Sequence, residues 1–279
     1  MPIVASEPAS LERSFGREAF GADPANYHPA RPPYPQATWD ALVQRAGLRA
    51  GIDILEIGAG TGLATIPLLT HDPARLVAIE PDTRLAAFLA KTAADPRLTV
   101  VGETFEDAEL RPTSFDLVVS ATAFHWLDAV PALKRIGGLL RDNGSVALIW
   151  NDFGDAGRPD PFHEATAHLF EGHRVSTGRG SGRLSFASDA DARLADFDAA
   201  GFVSDEPQFL RWTLALDPRG VRALYSTYSN VTALPPLERT RLLDGLFDIA
   251  GMQFGGRVER NMTTAIYTAR RAPDAHLAA

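Results

Sequence analysis

The segment with the most chemical content reads Glu56-Ile57-Gly58-Ala59-Gly60-Thr61-Gly62. A carboxylate stands two residues ahead of three glycines placed at every second position. Glycine is needed where a backbone takes positive φ or lies close against a ligand. The apolar run 52–57 before it reads as a strand, and residues 61–70 suit a helix. A glycine turn after the first strand falls where open α/β sheets hold their ligands. Glu80 follows Gly62 by 18 residues, at the end of a second apolar run, 76–80. A carboxylate there accepts hydrogen bonds from both hydroxyls of a ribose. Glycine floor and acid together imply an adenosine-type ligand.

Spacing separates the ligand classes. A dinucleotide fingerprint is G-x-G-x-x-G, with pyrophosphate on the helix N-terminus. Here the glycines run G-x-G-x-G, and no Lys-Ser/Thr follows to hold a triphosphate. A nicotinamide-dependent oxidoreductase is thus an alternative with the wrong spacing. A non-catalytic nucleoside-binding protein is a second alternative.

Other residues have types suited to a site. His125, in Phe124-His125-Trp126, suits a general base, because neutral imidazole takes protons near pH 6.5; it equally suits an orienting or packing group. Arg31 stands among prolines and suits a carboxylate partner, with Arg158, Arg179 and Arg183 in reserve. Trp39 and Trp150 read as core. Tyr225, Ser226, Tyr228 and Ser229 suit either a pocket wall or the buried face of one helix. His163 and His168 superficially imitate H-E-x-x-H, but five helical steps turn them about 140° apart, so they cannot share a metal. Gly180-Ser181-Gly182 lacks the strand–turn–helix context of a nucleophile elbow. No metal site is expected.

The elements that must position these groups alternate. Helices are expected at 37–46, 61–70, 82–93 and 128–141. Strands are expected at 52–57, 76–80, 98–101, 115–120 and 145–150, the last after the turn Asp142-Asn143-Gly144. Near-continuous apolar strands between amphipathic helices predict an α/β fold, with a mainly parallel sheet covered on both faces. Residues 1–35 read as an N-terminal arm, and the prolines of 27–35 predict an extended chain there. Residues 36–150 form the ligand-binding core. Residues 151–279 add a substrate-facing, helix-rich insertion after strand five and complete the same domain. Within them, loops are expected at 152–160 and 174–187, helices at 161–173, 189–200, 217–229 and 236–250, and strands at 209–216 and 263–269. The tail after residue 271 is expected to fray.

The 56–62 segment resembles motif I of the class I S-adenosylmethionine-dependent methyltransferases. Glu80 matches that family's ribose-binding acid. Gly102-Glu103-Thr104-Phe105-Glu106-Asp107 matches the adenine-flanking segment, and Phe115-Asp116-Leu117-Val118-Val119-Ser120-Ala121 matches strand four. The continuation through Phe124-His125-Trp126 and the arm from Tyr27 to Pro35 are similar to the small-molecule, trans-aconitate methyltransferase-like branch. The resemblance covers residues 15–150 well and the remainder loosely. It implies a Rossmann-like seven-stranded sheet and S-adenosylmethionine as cofactor, with S-adenosylhomocysteine as product. It implies cofactor contacts from Tyr27, Arg31, Glu56, Gly58, Ala59, Gly60, Gly62, Glu80, Pro81, Thr104, Phe105, Glu106 and Ala121. The reaction it implies is in-line methyl transfer to a carboxylate, hydroxyl or carbon nucleophile of a small molecule, with His125 and Arg31 nearest the acceptor.

Composition sets outer limits. The chain has 279 residues, 45% of them hydrophobic, and no Cys, so disulfides, zinc ribbons and thiol nucleophiles are excluded. The charge, 27 − 35 = −8, and the lack of an Asn/Asp-Pro-Pro-aromatic motif after strand four argue against a nucleic-acid partner. No run reaches the ~18 apolar residues of a membrane span, and the opening MPIVASEPAS is unlike a secretory signal. A cytoplasmic monomer or homodimer without membrane partners is expected.

Overall fold

The computed structural model describes residues 23–154, 158–171 and 185–271. Residues 174–184 of the loop expected at 174–187, with Arg179, Arg183 and the Gly180-Ser181-Gly182 segment, lie outside them, as do the first 22 residues and the tail after 271.

Five apolar runs become parallel neighbours: β1 (Asp53–Ile57), β2 (Arg75–Ile79), β3 (Leu98–Val101), β4 (Phe115–Ala121) and β5 (Leu140–Phe153). Three later strands, β6 (Phe202–Ser204), β7 (Gln208–Leu216) and β8 (Val258–Arg271), complete the sheet. The order is β3-β2-β1-β4-β5-β8-β6, with β7 also on β8. β8 runs antiparallel to β5, and β6 and β7 share its other edge in succession. The sheet thus has eight strands in seven lateral positions. The chain reverses between β1 and β4, so the crevice at the carboxyl end of β1 is a topological switch point.

Side chains of period two divide between the two faces. Leu55, Ile57, Val77, Ile79, Val118, Leu148 and Trp150 join one core. Ile54, Leu76, Ala78, Leu117, Val119, Ala147 and Ile149 join the other. Helices cover both: α2 (Gln36–Arg45), α3 (Thr65–Leu69), α4 (Thr83–Ala93), α5 (Ala129–Leu139) and, after β5, α7 (Ala190–Ala199). At the amino ends of β1 and β4, Arg141 bridges Asp53 and Asp116, at 2.6 Å each.

Several expectations need correction. The arm is not extended throughout: α1 (Pro24–Ala30) is a helix. Asp23 accepts from Asn26 N, Pro24 occupies the first turn, where its missing donor costs nothing, and Pro29 comes too late to interrupt more than the last turn. Only from Arg31 (ψ 141°) does the chain extend. The helix after the glycine turn begins at Thr65 instead of 61, because Gly62 has φ +95°. Asn143 does turn, at φ +63°, but inside a bulge of β5, where Leu140 pairs with Phe115 and Ser145 with Leu117. The helix expected at 161–173 is α6 (Pro161–Thr166) followed by a 3₁₀ turn (Ala167–Phe170). The helix-rich part after β5 lies mostly between β7 and β8, in the order expected of helices at 217–229 and 236–250 between strands at 209–216 and 263–269. α8 (Pro218–Ser226), α9 (Ser229–Thr232) and α10 (Pro236–Met252) connect β7 to β8, and with α6 they enclose a third core. No described helix is long and apolar enough to cross a membrane.

Candidate active site

The glycine turn is pinned to β2. Gly58 N and Ala59 N both donate to the Ile79 carbonyl, at 2.9 and 3.0 Å. Gly58 has φ +74°, and a Cβ there would stand 2.3 Å from Ala123 Cβ. Gly60 has φ +58°, and its missing Cβ faces open space. Glu80 holds the turn from the far side: Oε2 accepts from Gly60 N at 2.7 Å, and Oε1 accepts from Asp82 N at 2.9 Å.

Glu56 has other surroundings. It is buried, and its Oε2 has no hydrogen-bond partner among the described residues. Burial pushes its carboxyl up to about 8; the nearby Thr65 hydroxyl opposes this shift and the neighbouring Glu80 adds to it. This atom needs a donor or a cation.

Both acids open on one cavity of about 230 Å³. Gly58, Ala59, Gly60 and Pro81 line it at the ends of β1 and β2. Thr104, Phe105 and Glu106 line it beyond β3, and Ala121 lines it at the end of β4. Gly62 lies outside the lining, where a Cβ would stand 2.6 Å from Leu89 Cδ1; it lets the helix following the turn approach α4.

The arm roofs this cavity. Tyr27 and Arg31 line it from above. The Arg31 guanidinium lies 5.4 Å from the Tyr27 ring centre and 5.7 Å from that of Tyr228, and Nη1 donates to Thr227 Oγ1 at 3.4 Å. Asn151 at the end of β5 donates to the carbonyls of Pro32 and Pro33, at 3.2 and 3.1 Å. Tyr34 shares a 2.7 Å hydrogen bond with Thr122, a β-branched residue held at φ +54°. Asn151, Thr122 and Phe153, which also line the cavity, were not foreseen. Asn151 carried a usable signal, since a polar residue at the carboxyl end of a central strand points at the ligand crevice. The positive φ of Thr122 has no sequence signature.

His125 lines the cavity from a 3₁₀ turn, Phe124–Trp126. Trp150 Nε1 donates to its Nδ1 at 3.2 Å, and Trp126 lies beside the ring with centres 4.8 Å apart. Burial lowers the imidazole to about 4. The described residues contain no group of three or more His, Asp or Glu able to hold a metal ion.

An open α/β sheet with an acid-flanked glycine turn at its switch point defines a nucleoside-binding protein. The methyltransferase-domain family matches residues 55–148. An uncharacterised methyltransferase of Mycobacterium bovis is 33% identical over 226 residues, covering 81% of this chain and 83% of that one. An uncharacterised methyltransferase of Schizosaccharomyces pombe is 27% identical over 258 residues, covering 91% of this chain and 97% of that one. The structure of a putative type II methyltransferase from Anaeromyxobacter dehalogenans has a TM-score of 0.62 at 22% identity, over 87% of this chain and 99% of the other; that likeness concerns the fold alone. The chain belongs to the class I S-adenosylmethionine-dependent methyltransferases, and S-adenosylmethionine is its cofactor. The site fits that group: an orphaned carboxylate oxygen for an ammonium, and an open glycine flank where a side chain would intrude.

Proposed function

We propose that the protein methylates a carboxylate of a small organic acid, in the manner of the trans-aconitate methyltransferase-like branch. Glu56 takes the cofactor's ammonium, Glu80 its ribose, and the residues from Thr104 to Glu106 its adenine. Tyr27 and Arg31 would cover its methionine side. When bound, the cofactor supplies a sulfonium methyl that is already electrophilic. The chain's own residues then bind, orient and exclude water. Arg31 offers a fork of N–H donors to the acceptor carboxylate, and Tyr27, Trp126 and Phe153 wall the remainder. Held orientation is itself worth several kcal/mol, on the order of 7–11 in the best cases.

One observation carries the choice of a carboxylate. Besides Arg31 and His125, the ionisable residues lining the cavity are Glu56 near the end of β1, Glu80 and Glu106 after β2 and β3, and the arm's Tyr27 and Tyr34. Burial raises the Tyr34 phenol beyond its ordinary range. A carboxylate is ionised at neutral pH and needs no base. A hydroxyl or carbon acid would require one; the three acids lie on the β1–β3 side assigned to the cofactor, which leaves His125 as the candidate on the acceptor side.

The test is incubation with methyl-labelled S-adenosylmethionine and a metabolite extract, followed by mass spectrometry. A labelled methyl ester, cleaved by mild alkali, is expected, and Arg31→Ala should lose most of it. An alkali-stable labelled product would overturn the reading.

A further inference from the structure

We infer that Trp150 fixes the tautomer of His125, so that the imidazole presents Nε2–H to the acceptor and serves as a hydrogen-bond donor instead of a base. The reason is the chemistry of the two rings. An indole N–H donates and has no lone pair to accept with. The 3.2 Å contact between Trp150 Nε1 and His125 Nδ1 therefore requires the lone pair on Nδ1. A neutral imidazole carries one N–H, which is then on Nε2. The ring lines the cavity, and the hydrogen bond it makes to a described residue is at Nδ1, not Nε2.

Trp150 is well placed for this. It is 3% exposed on β5, opposite Ala265 of β8. Phe186 and Tyr267 pack on it with ring centres 5.5 and 6.0 Å away, and the Tyr267 hydroxyl donates to the Ala187 carbonyl at 2.7 Å. The indole cannot turn its N–H elsewhere without disturbing this packing. An imidazolium would carry a proton on Nδ1, facing the indole N–H donor to donor. Burial opposes the charged ring as well. The only lone pair of the ring is thus engaged by Trp150, and Nε2 can only donate. Trp150 is a positioning residue acting through His125.

The use of this donor in transfer rests on the carboxylate reading, whereas the tautomer does not. A donor to a carboxylate helps to place it, yet the negative charge fades as the methyl bond forms. Its loss should therefore fall mainly on KM. Loss of a general base would lower kcat by about 10²–10⁴-fold.

The deciding experiment is ¹⁵N NMR of the intact, cofactor-free chain with labelled histidine, the His125 signals being identified by their absence in His125→Gln. A neutral, Nε2-protonated ring is expected in the parent, and Trp150→Phe should populate the Nδ1-protonated form. An Nδ1-protonated parent, or a folded Trp150→Phe with unchanged tautomers, would overturn the inference. Should Trp150→Phe fail to fold, the parent spectrum alone decides. In the transfer assay with metabolite extract, His125→Ala should raise the half-saturating extract concentration about tenfold. His125→Gln, whose amide N–H can stand in for Nε2–H, should recover most of that loss. A kcat drop of 100-fold or more in both variants would mean a base and would sink the donor role. The spectra need neither cofactor nor acceptor, so failure here is distinct from failure of the carboxylate reading.

Discussion

Glu56 and Glu80 stand at the ends of adjacent strands, and their surroundings separate them. Glu80 accepts from two backbone N–H groups, whereas Glu56 keeps an oxygen without a partner in a buried place. An acid with a carboxyl near 4.5 when unfolded and near 8 when folded binds more protons in the native state across that interval. Stability of the cofactor-free protein therefore falls as pH rises from about 4.5 to about 8, by on the order of a few kcal/mol, and levels off above. Glu56→Gln should melt higher than the parent at pH 8 and close to it at pH 5, as thermal scans would show. Binding of an ammonium beside Glu56 should release a proton below pH 8, which calorimetry in buffers of different ionisation enthalpy would detect. The glycines also differ. Gly60→Ala should cost only about 1–2 kcal/mol of stability but abolish cofactor binding, because its Cβ points into open space at positive φ. Gly62→Ala should lower the melting temperature more, since its Cβ meets Leu89. Titration with S-adenosylhomocysteine beside thermal melts would separate the two. In the sequence the three glycines look alike, and all three take positive φ; what a Cβ would meet at each divides cradle from packing.

At the scale of elements, the carboxyl end of β5 organises the acceptor side. Trp150 reaches His125, Asn151 holds the arm, and Phe153 walls the cavity. Asn151 also accepts from Thr264 of β8, at 2.6 Å, and Thr264 accepts from Trp212 of β7 at 2.9 Å. The roof is thus tied through hydrogen bonds to strands far along the chain. Asn151→Ala should loosen residues 31–35, making the arm cleavable by dilute protease and weakening S-adenosylhomocysteine by about 5–30-fold (~1–2 kcal/mol). An intact arm with unchanged affinity would refute this. The strands of the first half were legible because a strand buried on both faces must be apolar throughout. The arm was misread because proline was weighed as a breaker, when Asp23 and Pro24 start a helix.

Over the whole molecule, two cores sandwich the sheet and a third fills the space under α6, α8 and α10. Inside the third lies a buried ion pair: Arg260 meets Asp160 at 3.0 Å and donates to the Tyr225 hydroxyl at 2.5 Å. Arg260→Met leaves the buried Asp160 carboxylate without its counter-charge and should cost about 3–5 kcal/mol in denaturant unfolding. Adding Asp160→Asn should return part of the loss. If the single variant costs under 1 kcal/mol, the pair is not buried in solution.

The alternation of strand and helix, the glycine turn and the acid at the end of β2 are legible in the amino-acid sequence. These depend on local rules: period, turn chemistry and the placing of ligands at strand ends. Only the folded chain shows that Trp150 addresses His125, that Asn151 clasps the arm 118 residues earlier, and that Arg260 pairs with Asp160. Such contacts join residues far apart in the chain, and no local period records which partner each will meet.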